Sequence, residues 1–108
     1  MDETFRVEDG MLVRAVVPTR GTPYEHRCPL AAYEAVAHAI DEAGDGPVVL
    51  EALVAATGLP HTQVNVAFAF MKERGCVVPV HGRRHKAASK FVFEDALIEY
   101  HALREQGP

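Results

Sequence analysis

Pro47-Val48-Val49-Leu50-Glu51-Ala52-Leu53-Val54-Ala55-Ala56-Thr57-Gly58 opens the stretch that decides the fold. The run predicts a three-turn helix stopped by Gly58, where a left-handed residue closes the last turn. Leu59-Pro60-His61 is a tight connection, with the proline fixing the direction of the chain. A second helix is predicted over Thr62–Arg74, ended by Gly75. Val64, Phe68 and Met71 fall at i, i+4 and i+7 and form its core stripe. A β-rich run follows, Cys76-Val77-Val78-Pro79-Val80, then a basic loop, His81–Lys90, then a second short strand at Phe91-Val92-Phe93.

Helix, short turn, helix and a hairpin with a basic tip resemble the winged helix-turn-helix superfamily of DNA-binding domains. The phrase Lys72-Glu73-Arg74-Gly75-Cys76-Val77 is similar to the charged helix end, glycine and apolar strand start that precede a wing. The resemblance covers about two-thirds of the chain, from Leu30 to Phe93. It implies an α+β fold with a three-helix core, and the role of a small cytoplasmic regulator of transcription that binds double-stranded DNA. In a helix-turn-helix the second helix enters the major groove, led by its N-terminal residues.

Outside that stretch the chain reads as additions to one domain spanning residues 1–108, a length that suits a single core. Thr4–Glu8 and Met11–Val17 flank Asp9-Gly10, a strong hairpin signal because both turn positions need positive φ. Such a hairpin is marginal alone, so it must pack on the helices or on a second copy. Residues 18–28 read as a loop anchored by Tyr24, with Arg20 and Arg27 solvated or paired with acidic helices. Pro29 suits the start of a helix whose stripe is Leu30, Tyr33, Val36, Ala37 and Ile40, ended by Gly44-Asp45-Gly46. Val48-Val49 also fits the short strand that winged domains place before their second helix, with Leu53, Val54 and Ala56 facing the core. Residues 94–108 give a C-terminal helix and tail, with Ala96, Leu97, Tyr100 and Leu103 as its stripe.

The net charge of −4 opposes nucleic-acid binding in bulk, yet the charges are segregated. Residues 72–90 carry Lys72, Arg74, Arg83, Arg84, Lys86 and Lys90 against Glu73 alone, and residues 29–60 carry no lysine or arginine. Association follows the local field, since charges beyond about 8–10 Å are screened at physiological salt. With Val64, Phe68 and Met71 turned inward, Thr62, Asn65, Val66 and Ala69 point outward and Gln63 lies on the flank. Amides can bond adenine in two places, and Thr, Val and Ala suit a thymine methyl. The DNA-contacting set is therefore Thr62, Gln63, Asn65 and Val66 on the helix, with Arg83, Arg84, Lys86 and Lys90 gripping phosphate or the minor groove from the wing.

Other functions fit less well. No phosphate-binding glycine loop, zinc-protease helix or nucleophile elbow is present, so nothing nominates an enzyme or an organic cofactor. Cys28 and Cys76 with His26, His81, His85 and His101 could form a metal site only if the fold gathers them, and no zinc spacing links them. The two cysteines read as ordinary buried thiols. No run of about 18 apolar residues suggests a membrane span. The competing reading is a winged module for protein–protein contact, because Val66, Ala69 and Phe70 make the second helix apolar nearly all round. Either the N-terminal hairpin or a partner protein covers the Val66/Phe70 face. A homodimer is expected from surplus apolar surface on the hairpin and the last helix, in keeping with palindromic DNA sites.

Overall fold

The computed structural model describes residues 1–107; Pro108, the end of the expected tail, lies outside them. The fold is α+β, with four helices and two small antiparallel sheets among the described residues. In chain order the elements are β1 (Asp2–Glu8), β2 (Met11–Val17), β3 (Tyr24–Pro29), α1 (Leu30–Glu42), α2 (Leu50–Thr57), α3 (His61–Glu73), β4 (Val77–His81), β5 (Arg84–Ala87) and α4 (Val92–Gln106).

The Asp9-Gly10 turn forms as its composition demands, with φ of 52° and 75°. The expected loop over residues 18–28 is corrected: its second half is β3, which pairs with β2 through Val16↔Tyr24 and Leu12↔Cys28. Residues opposite one another share a face. Phe5, Val7, Leu12 and Cys28 thus line the inner face, and Arg6, Glu8, Val13, Glu25 and Arg27 line the outer one. Arg6 holds Glu25 at 2.9 Å and Glu8 at 3.1 Å, while Arg27 reaches the same two carboxylates at 3.3 and 3.4 Å. Val13 lies between the two arginines in register and is fully buried, flanked by their aliphatic stems. Arg6 holds the Glu8 and Glu25 carboxyls below the ordinary carboxylate range. Arg27 therefore pairs within the sheet, not with an acidic helix.

The inner face closes on α1, α3 and α4. Tyr33 is at the centre, its ring 6.0 Å from Phe70 and 5.7 Å from Tyr100, and its hydroxyl donates to the Ala96 carbonyl at 2.7 Å. Phe5 of β1 stacks on Phe70 at 5.2 Å between centroids, so Phe70 is 0 % exposed. Cys28 and Cys76 are both free and buried, and burial pushes their thiols up to about 12 and about 11.

The second helix of the expected core begins later than Pro47. Val48 instead exchanges two backbone hydrogen bonds with His85, at 2.7 and 3.0 Å, and α2 keeps only two turns. Gly58 closes it at φ 70°. Leu53 is buried, Val54 half-buried and Ala56 exposed, so the inward face is narrower than expected. Gly75 ends α3 at φ 76°, letting the Cys76 amide reach the Met71 carbonyl at 2.9 Å.

The hairpin after α3 is also corrected. Its second strand is Arg84–Ala87, not Phe91-Val92-Phe93, because the two residues Gly82-Arg83 turn the chain at once. Phe91 precedes α4, where the Ser89 hydroxyl accepts the Phe91 amide at 3.0 Å and donates to Asp95 at 2.7 Å. Glu94 and Asp95 in the first turn of α4 and Arg104 in its last suit the helix dipole. Among the described residues no helix is long and apolar enough to cross a membrane.

Candidate nucleic-acid interface

Helix α3 lies between two neighbours. One flank packs on α1 and α2, and the other packs along β3. The solvent strip left over is narrow. It holds His61, Thr62, Lys72 and Glu73 as exposed residues, with Asn65 and Ala69 half-buried between them. Asn65 and Lys72 stand seven residues apart, two helical turns, and so share this strip. Gln63 is half-buried.

Val66 is not on the strip. It is 0 % exposed and belongs to the core with Ala67 and Phe70, so its place among base-contacting residues is withdrawn. The reason is physical: α3 has a second buried flank, supplied by the N-terminal sheet, where Phe70 meets Phe5 of β1. The same sheet removes the Val66/Phe70 face as a docking surface for a partner protein.

The β4–β5 hairpin stands beside the strip. His85 turns its ring edge to Phe68 at 5.5 Å, and the Lys72 ammonium lies 4.7 Å above the same ring. Leu50, Glu51, Phe68, Lys72, Gly82, Arg83 and His85 enclose a hollow of about 340 Å³ between the start of α2, α3 and the hairpin tip. Arg84 and Lys86 alternate with His85 and Ala87 along β5 and are exposed. Lys90 lies elsewhere, against Asp41, Gly44, Asp45 and Ser89 near the end of α1, so it does not join the tip.

Pairing of the cations sharpens this picture. Arg6, Arg14, Arg27, Arg74 and Arg104 each have a carboxylate partner, with Arg74 3.1 Å from Glu99 and Arg14 on Glu3. Arg83, at the tip, is 3.0 Å from Glu51. Among the described residues the cations without a carboxylate partner are Arg20, Lys72, Arg84, Lys86 and Lys90, and all but Arg20 lie between positions 72 and 90. Of these, Lys72 lies on α3 and Arg84 and Lys86 on the hairpin, while Arg20 and Lys90 lie apart from them.

A comparison with family models, curated proteins and solved structures finds no match.

Among the described residues no three of histidine, cysteine, aspartate and glutamate gather closely enough to hold a metal ion. Lys72 and His61 lie outside the DNA-contacting set expected from the sequence, although the helical period places both with Asn65. Glu51 had no such signal: 32 positions separate it from Arg83.

Proposed function

We propose that the chain is a winged helix-turn-helix domain that binds double-stranded DNA as a small cytoplasmic transcriptional regulator. Three features support the winged reading. The order is helix, Val48 bridge, helix, helix, hairpin; the hairpin follows α3 directly; and the Val48 bridge adds a short third strand beside β5. The observation that carries the function is that three cations without a carboxylate partner lie on α3 and on the hairpin that follows it: Lys72 in the last turn of the helix, and Arg84 and Lys86 on the exposed face of β5. Helix α3 enters the major groove with Thr62 and Asn65, and Gln63 assists from the flank. Arg84 and Lys86 contact the phosphate backbone.

The alternative, an interaction module, drew its support from the apolar Val66/Phe70 face. That face is spent inside the molecule, which favours DNA. Asn65→Ala tests the base-reading role. It lowers discrimination between the preferred and a random duplex by about 1–3 kcal/mol if the amide reads a base. Affinities for both duplexes, compared at one salt concentration, check this; equal losses on both would reassign Asn65 to the backbone. Duplex binding no tighter than millimolar at low salt, on selected and random sequences alike, would remove the DNA reading altogether.

We also propose that the domain is a homodimer. Phe5, Val7 and Leu12 of the hairpin serve its own core, and Met11 and Val17 remain its exposed apolar side chains. Phe91, just before α4, and Ile98 on α4 are more exposed than these, at 64 % and 62 %. Sedimentation equilibrium at tens of micromolar should give twice the 11.8 kDa of the chain, and Ile98→Glu should return it to one. A monomer throughout would end the proposal.

A further inference from the structure

Glu51 is the carboxylate that lines the hollow beside the hairpin tip, facing Lys72 and Arg83. Its carboxylate accepts from Arg83 at 3.0 Å. Both partners of the ion pair are open to water, with side-chain exposures of 82 % for Arg83 and 59 % for Glu51. An exposed pair of this kind is weak and exchanges readily. The other acid of the region, Glu73, lies at the far end of the strip and neighbours Arg74 at 3.7 Å.

We propose that Glu51 is a built-in brake on duplex binding: its carboxylate holds the place at Arg83 that a DNA backbone phosphate takes in the complex. The proposal rests on the DNA reading above. Binding exchanges one anion for another at the Arg83 guanidinium, so Arg83 adds no net neutralisation of phosphate in the parent protein. The displaced carboxylate then remains beside the DNA and repels it. The backbone amide of Glu51 and the Arg83 guanidinium both hold the carboxyl below the ordinary range, so the brake stays charged at neutral pH.

The test measures duplex affinity by fluorescence anisotropy at several salt concentrations for the parent, Glu51→Gln, Glu73→Gln, Arg83→Ala and the double variant Glu51→Gln, Arg83→Ala. Thermal melts check that each is folded. Glu51→Gln should bind roughly threefold to tenfold tighter at 0.1 M salt, with the log-affinity versus log-salt slope steeper by about 0.9, one newly effective phosphate contact. Most of that gain should vanish in the double variant, and Glu73→Gln should not reproduce it. If the parent binds and Glu51→Gln binds no better, or no better than Glu73→Gln, the brake is overturned and the DNA reading stands. A parent that fails to bind beside a Glu51→Gln that does would uphold both. If neither binds any duplex, the DNA reading falls and takes the brake with it.

Discussion

Phe70→Ala lowers the stability of the domain by about 3–5 kcal/mol, the range for deleting a fully buried aromatic ring. The ring is enclosed by Phe5 at 5.2 Å and Tyr33 at 6.0 Å, with the Arg74 guanidinium 4.9 Å from its centre. Alanine leaves a cavity where the N-terminal sheet meets α1 and α3, and rigid elements on both sides limit its collapse. Urea unfolding of the parent and variant measures the effect. Phe5→Ala in the Phe70→Ala background should cost less than Phe5→Ala alone, because the two rings share one contact. A loss below 1 kcal/mol would mean that the sheet does not hold the ring, and would reopen the Val66/Phe70 face to a partner.

Arg84→Ala with Lys86→Ala should weaken binding to every duplex and leave the fold intact, since both side chains are exposed and neither is ion-paired. Each phosphate contact contributes about 0.9 to the log–log salt slope, so the double variant should flatten it by about 1.8. At 0.1 M salt that corresponds to an affinity loss on the order of 60-fold. Loss uniform across sequences marks phosphate contacts; loss confined to one sequence would instead mean that the hairpin reads bases. An unchanged slope would show that β5 does not touch the duplex. Arg83→Ala should cost much less than either neighbour, because its charge is already balanced by Glu51.

How far the chain could be read from its residues depended on where the signal lay. The Asp9-Gly10 turn, the Tyr33 stripe of α1 and the glycine stops at Gly58 and Gly75 are local, and each forms as its chemistry requires. Strand β3 was hidden because its alternation is polar: Glu25 and Arg27 point out, and of Tyr24, His26 and Cys28 on the other face only Cys28 is a buried apolar residue. The hairpin's second strand was hidden for the same reason, with Arg84 and Lys86 outward and His85 and Ala87 inward, while Phe91-Val92-Phe93 offered a more apolar decoy. For α3, apolarity on every side announced burial but not the identity of the cover. One core stripe was drawn where the helix has two buried flanks, and Val66 was therefore turned the wrong way. Ion pairing is the least readable layer, since Arg83 meets Glu51, and Arg74 meets Glu99, across distant parts of the chain.

The placement of β1 against α4 has a consequence for the order in which the domain assembles. The first strand and the last helix are separated by nearly the whole sequence, and the central ring contact joins residue 5 to residue 70. During synthesis the hairpin precedes every helix it packs on: α1 follows it, then α3, and α4 comes last. Contacts between such remote positions carry a large loop-closure cost before they return any stability, which slows folding relative to a helical bundle of the same size. The unit of cooperativity is thus the whole chain: the three-helix segment that would touch DNA is completed by residues that precede it, and cannot be cut away from them without exposing its own core.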